Sequence, residues 1–85
     1  MITGRQLRAA RVLIGWEQIE LASRSRVAIG TVRRIESFDG PIGSRTSTLS
    51  QVMAALEKAG ILFLNDDSPG VRLRPAPIGV SRKGT

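Results

Sequence analysis

Arginine is the residue type in this chain whose side chain is best suited to bind another molecule. The 85-residue sequence carries 13 lysines and arginines against 7 acidic residues, a formal charge of +6, and only Lys58 and Lys83 are lysines. A guanidinium group presents a planar fork of donors that matches a phosphate group or the edge of a guanine, whereas lysine acts as a point charge. The composition therefore predicts a polyanionic partner; a solubilising charged surface is the alternative that charge alone leaves open.

The residue types on which most enzymes and metal sites depend are missing. The sequence has no histidine and no cysteine, so it lacks the commonest general base, the commonest metal ligand and any disulfide. Its carboxylates are scattered, and the one adjacent pair, Asp66 and Asp67, falls in a predicted turn. We expect no enzymatic activity, no metal site and no cofactor.

Two of the arginines share one face of a short helix predicted over about residues 29–37. With Val32 and Ile35 facing inward, a rotation of about 100° per residue turns a different set of residues outward. That outward face consists of Gly30, Arg33, Arg34 and Ser37, flanked by Ile29 and Thr31. It is small at its N-terminal end and bears arginines one turn later, so it could enter a groove end-on. A solvated, charged helix face is the alternative interpretation.

The elements that position this face begin with a helix near the N-terminus. Thr3 and Gln6 have the spacing of a capping box, and Gly15 is the expected end. The helical spacing of inward positions includes one arginine, Arg11. This arginine either lays its stem along the core or pairs with a carboxylate on a neighbouring helix, for which Glu36 is the candidate.

Two further helices, predicted at about 18–23 and 29–37, flank a break at residues 24–27. Helices that cross steeply over a short turn approach closely and need a small residue at the contact, which Ala22 supplies. The apolar residues expected to bury the inner surfaces are Leu21, Val27, Val32 and Ile35. Residues 38–47 are rich in Gly, Ser and Pro, which predicts a loop, and this loop carries Arg45.

The remainder of the chain predicts a fourth helix, a hairpin and a tail. Thr48 and Gln51 repeat the capping-box spacing and are expected to open the helix, which ends at Gly60. Two β-prone runs, 61–64 and 71–74, lie on either side of turn residues and predict a β-hairpin. We therefore divide the chain into a helical domain over 1–60, a hairpin over 61–74 and a flexible tail over 75–85.

At these residues the sequence resembles the Cro/CI-type (XRE-like) helix-turn-helix family of phage repressors and bacterial regulators. The resemblance covers roughly residues 3–60 and is strongest in Leu7-Arg8-Ala9-Ala10-Arg11, Gly15-Trp16-Glu17-Gln18, Glu20-Leu21-Ala22 and Thr31-Val32-Arg33-Arg34-Ile35-Glu36. The hairpin looks like the ending of a compact bacterial subgroup. The resemblance implies a mainly α, lambda-repressor-like domain of four helices followed by a hairpin. It also implies that the helix at about 29–37 is a recognition helix for the major groove of DNA.

The resemblance further implies a role for individual side chains. Gln18 would bind a DNA phosphate through its amide and the helix N-terminus, although it could also be an ordinary helix-start residue. Three residues stand at positions that face base edges in the family: Ile29, Gly30 and Arg34. Three arginines are expected to contact phosphates: Arg33, Arg45 and Arg26. The remaining residues expected to face DNA are Thr31 and Ser37. Arg11 and Glu36 match a buried pair that joins the first and third helices, which is a structural role.

Five positions depart from the pattern of the family. The turn usually carries glycine where Arg26 stands, so a non-glycine residue must adopt an unusual backbone angle, and Ser25 beside it replaces an apolar residue. Glu17 and Ala28 stand where Ser or Thr usually caps the second and third helices, and a poor cap costs about 1 kcal/mol. Ile29 replaces a polar or basic residue at a base-reading position, so it would either touch a thymine methyl group or read bases weakly.

The leading hypothesis is a sequence-specific transcriptional regulator of the repressor type, binding a palindromic operator as a homodimer with half-sites about 34 Å apart. The dimer surface would be an edge of the hairpin or the fourth helix. The alternative is an antitoxin or accessory protein that uses the same fold, with its hairpin and tail, to hold a protein partner. Apolar runs such as 61–64 are far shorter than the roughly 18 residues that a membrane span requires, so we expect a cytoplasmic, nucleoid-associated protein.

Overall fold

The computed structural model describes residues 2–38, 46–65 and 67–75. Within these ranges the chain forms four helices and two strands, in the order α1 (Gly4–Leu13), α2 (Gln18–Ser25), α3 (Ile29–Glu36), α4 (Thr46–Lys58), β1 (Ile61–Leu64) and β2 (Gly70–Leu73). The prediction of a mainly helical fold with a C-terminal hairpin is confirmed. Arg45 and most of the predicted tail lie outside the described residues. None of the helices in the described ranges has the length and apolar character needed to cross a membrane.

Helix α1 begins and ends as its sequence predicts. Thr3 Oγ1 accepts a hydrogen bond from Gln6 N at 3.0 Å, and Gln6 Oε1 accepts one from Thr3 N at 2.9 Å. This reciprocal pair is the capping box, and it satisfies two backbone donors that a helix start would otherwise leave open. The helix closes at Ile14, and Gly15 follows with a φ of 79°, which a residue without Cβ adopts at little cost.

The turn between α2 and α3 is tighter than predicted, because α2 continues two residues past Ser23 to Ser25. Ser25 is buried, and its hydroxyl donates to Leu21 O at 2.7 Å, so a polar residue is tolerated where an apolar one was expected. Arg26 then ends the helix in the left-handed conformation, φ 60° and ψ 40°. The unusual backbone angle predicted for Arg26 is confirmed, and so is the absence of side-chain caps on α2 and α3.

Helix α4 begins earlier than its sequence predicts. It starts at Thr46, so Thr48 lies inside the helix and the capping box predicted for Thr48 and Gln51 is wrong. Gln51 instead donates from Nε2 to Ser25 O at 3.5 Å, which ties α4 to the end of α2. The helix ends at Lys58, shortly before Gly60, whose φ is 110°.

The core is formed by residues from all four helices and from β1. Its buried apolar members are Ile2, Leu7, Ala10, Leu21, Ala22, Val32, Ile35, Val52, Leu56 and Ile61. The antiparallel hairpin pairs Ile61 with Leu73 and Leu64 with Gly70, and Arg74 N donates to Gly60 O at 2.8 Å just beyond the strands. Ile61 is therefore part of the core, and the hairpin packs on α1 and α4.

Gln6 attaches the hairpin to α1 in addition to capping the helix. Its side chain is buried, and Nε2 lies 3.1 Å from Leu64 O, 3.1 Å from Gly70 O and 3.3 Å from Asn65 Oδ1. The two amide protons are shared among these three acceptors, which lie on both strands and on the residue after β1. A single side chain thus links the first helical turn to the end of the hairpin.

Candidate nucleic-acid interface

Helices α2 and α3 pack against each other through their buried inner faces. Ala22 is buried, and its carbonyl oxygen accepts a hydrogen bond from Val27 N at 3.0 Å across the turn. Leu21, Val32 and Ile35 bury the inner surfaces, each at most 2% exposed. This close contact fixes the direction in which the opposite face of α3 points.

The outward face of α3 carries the residues predicted for it. Gly30, Arg33, Arg34 and Ser37 are exposed, and Ile29 and Thr31 lie half-buried at its margins. Among the described residues neither Arg33 nor Arg34 forms an ion pair, since the salt bridges found there join Arg11 to Glu36 and Arg24 to Glu20. Their guanidinium groups therefore remain available to an external acceptor.

Gly30 has no structural requirement within the described part of the chain. Its φ is not positive, and a Cβ built on it would meet no atom within 4 Å. Gly4 differs, because a Cβ there would lie 2.4 Å from the carbonyl oxygens of Ile35 and Phe38. Glycine is less favourable than alanine inside a helix by roughly 0.5–1 kcal/mol. Close approach of another molecule to the backbone would account for Gly30.

Ser37 is the C-cap of α3, and its hydroxyl group forms a hydrogen bond with the helix backbone. Its Oγ donates to Arg34 O at 2.6 Å, and its N–H bonds to the same carbonyl at 3.2 Å. The hydroxyl oxygen can still accept a hydrogen bond. The structure therefore places Ser37 on the predicted face with its donor already in use.

An open cleft separates the start of α2 from the start of α3. Its lining residues are Arg11, Glu17, Gln18, Ile19, Ile29 and Arg33. Gln18, Ile29 and Arg33, for which the family resemblance implies contacts with phosphate or base, all line this cleft. Arg26 is exposed at the opposite end of α2 and does not line it.

A buried ion pair joins α1 to the last turn of α3, as predicted. Arg11 Nε donates to Glu36 Oε2 at 2.8 Å, and Nη2 donates to Oε1 at 3.0 Å, with Glu36 only 3% exposed. The remaining Arg11 nitrogen, Nη1, donates to Trp16 O at 2.9 Å. The pair therefore also holds the turn that leads into α2.

Gln18 joins this network, a contact that sequence reasoning missed. Its Nε2 donates to Glu36 Oε1 at 3.1 Å. The two residues lie 18 positions apart on different helices, so no local spacing indicates the contact. The one signal in the sequence is the predicted pairing of Arg11 with Glu36. This pairing places the Glu36 carboxylate near the start of α2, where Gln18 lies.

Arg24 is engaged away from the cleft. Its guanidinium lies over the ring of Trp16, 4.8 Å from the ring centroid, and its Nε donates to Glu20 Oε2 at 2.7 Å. Both contacts are local to α2 and the turn before it. Arg24 is therefore not counted among the cations of the candidate interface.

Comparison of the sequence with models of known protein families found no match, and comparison with curated proteins found none either.

Proposed function

We propose that this chain is a lambda-repressor-like helix-turn-helix protein that binds double-stranded DNA sequence-specifically as a small transcriptional regulator. The observation that carries the proposal is the outward face of α3. It presents Arg33 and Arg34 with no ion pair in the described residues, behind a tip at Gly30 that has no side chain. A helix with these properties suits insertion into the major groove, where arginine recognises guanine through two hydrogen bonds.

Base reading is assigned to three residues of α3. Arg34 is exposed one turn from the tip and is the expected bidentate contact to guanine. Ile29 packs against the core on one side and lines the cleft on the other, so it can offer an apolar surface to a thymine methyl group. Gly30 lets the backbone approach the base edges, with Thr31 beside it.

Phosphate binding is assigned to the cleft and the cations around it. Helix α2 has no side-chain cap, which leaves N–H groups of its first turn open to a phosphate oxygen. Gln18 and Arg33 lie beside that helix start in the same cleft. Arg26 and Arg45 are proposed as further phosphate contacts that set the register of the protein on DNA without reading its sequence.

We further propose that the protein acts in the cytoplasm, at the nucleoid, as a homodimer on a palindromic operator with half-sites about 34 Å apart. Two exposed leucines support the assignment of the hairpin as the dimer surface. Leu62 and Leu73 are 36% and 41% exposed, and the strand register places them on opposite faces of the hairpin. The outer positions of α4 are more polar, with Gln51, Glu57 and Lys58 exposed. The hairpin is therefore favoured over α4.

Selection from random duplex DNA followed by sequencing, at two salt concentrations, tests the proposed function. We expect an enriched inverted repeat and an affinity that falls steeply as salt rises, because bound arginines displace counterions from phosphates. Enrichment of no sequence would contradict the regulator and leave at most non-specific binding.

A further inference from the structure

The buried carboxylate of Glu36 holds Gln18 as well as Arg11. Oε1 accepts from Arg11 Nη2 at 3.0 Å and from Gln18 Nε2 at 3.1 Å, while Oε2 accepts from Arg11 Nε at 2.8 Å. An ionised carboxylate only accepts hydrogen bonds, so Gln18 must present its NH₂ group to it and not its oxygen. The orientation of the amide is thereby fixed.

This orientation leaves one amide proton of Gln18 for another acceptor. The NH₂ group has two protons, and the hydrogen bond to Glu36 uses one of them. No described residue accepts the second, and Gln18 lines the cleft between the starts of α2 and α3. Without the carboxylate the amide could rotate and offer its oxygen, which an anion would repel.

We infer that Glu36, itself held by Arg11, is a positioning residue for DNA binding that directs the second N–H of Gln18 at a backbone phosphate. The inference rests on the proposed function, because it deepens the role of the same cleft. The ion pair also acts on Gln18 by a second route, since Arg11 Nη1 holds Trp16 O at 2.9 Å and so fixes the turn that delivers Gln18.

A double-mutant cycle tests this coupling. The pair variant Arg11→Met/Glu36→Leu removes both charges together, which is often neutral for folding, whereas removal of one leaves a buried charge without its partner. Gln18→Ala is then made in the wild-type and pair-variant backgrounds, and duplex affinity is measured over a range of salt. Thermal unfolding and circular dichroism verify that each variant is folded.

In the wild-type background, Gln18→Ala is expected to lower the affinity for every duplex by about tenfold at each salt concentration, and the salt slope should stay nearly the same because a neutral amide displaces no counterion. In the pair-variant background the same substitution should change little, because Gln18 is no longer aimed. An equal loss in both backgrounds would overturn the positioning role, as would no loss in the wild type. If the ion pair were purely structural, Gln18→Ala would have the same effect on affinity in both backgrounds.

A measurement on the unmodified protein covers the case in which the pair variant does not fold. In nuclear magnetic resonance spectra of the full chain, duplex DNA should shift one side-chain amide proton of Gln18 strongly and the other, bonded to Glu36, weakly. Equal shifts or no shift would overturn the inference while DNA binding itself persisted. Failure of the wild-type chain to bind any duplex would instead overturn the proposed function, and the inference with it.

Discussion

Gly30 is the residue at which stability and function are expected to conflict. It occupies the first turn of α3, is exposed, and has neither a positive φ nor, among the described residues, a neighbour that a Cβ would meet. The glycines that follow α1 and α4, Gly15 and Gly60, have positive φ values of 79° and 110°. Gly30 is therefore a helix position that alanine would occupy more favourably unless something outside the chain comes close.

The substitution Gly30→Ala is predicted to stabilise the fold and weaken DNA binding. Replacing a helical glycine with alanine should raise the free energy of unfolding by about 0.5 kcal/mol. For a domain of this size, that corresponds to a rise in melting temperature of roughly 2–4 °C. The added methyl group should lower affinity for the selected duplex by about tenfold, the equivalent of ~1.4 kcal/mol of overpacking.

Ser23→Ala is the matched control for this substitution. Ser23 is exposed on α2, outside the candidate interface, so alanine should stabilise the helix slightly and leave DNA binding unchanged. Calorimetry and a binding titration on the three proteins separate the two effects. Wild-type affinity in a folded Gly30→Ala variant would contradict the close approach of DNA to this turn.

Individual contacts differ in how far the sequence predicts them. The pairing of Arg11 with Glu36 was predictable, because an arginine on an apolar helix face needs a partner and a carboxylate stands at a matching position on α3. The left-handed angle at Arg26 was predictable from the family resemblance, because the family usually has glycine at this position. The hydrogen bonds of Gln18 to Glu36 and of Gln6 to the hairpin were not, since each depends on how separate elements dock.

At the scale of elements, the type and order of helices and strands follow from local pattern, while their boundaries depend on neighbours. Helix α2 continues to Ser25, which is buried and has its hydroxyl satisfied by Leu21 O in the preceding turn. Helix α4 starts at Thr46, and the Gln51 assigned to its cap reaches Ser25 O on α2 instead. Sequence spacing cannot distinguish a capping glutamine from one that makes a tertiary contact.

The attachment of the hairpin to α1 can be tested at Gln6. Gln6→Glu keeps an oxygen that can accept from Thr3 N, as capping boxes with glutamate do, but it replaces the NH₂ group that faces three acceptors. We predict a loss of about 2 kcal/mol in the free energy of unfolding, because buried carbonyl oxygens then face a carboxylate without a donor.

Denaturant unfolding measures this loss, with Thr3→Ala as the comparison. Thr3→Ala removes only the cap and should cost about 1 kcal/mol. A Gln6→Glu variant as stable as the wild type would show that the hairpin does not depend on this side chain.

At the scale of the whole molecule, the charge and the fold point to the same surface. The chain has a formal charge of +6, and two of its arginines lie without ion pairs, among the described residues, on the outward face of α3. Basic excess alone would fit any polyanion. The packing of α3 on α2 turns Arg33 and Arg34 outward, and this direction supports the proposal that α3 recognises the major groove.

The most direct test of this account is the selection experiment run in parallel on the wild type and Arg34→Ala. We predict that both proteins enrich the same inverted repeat. We also predict that Arg34→Ala loses preference at one base position in each half-site, at a cost of about 1–3 kcal/mol there. An unchanged motif for a folded Arg34→Ala variant, or no motif for the wild type, would contradict the claim that α3 reads the major groove.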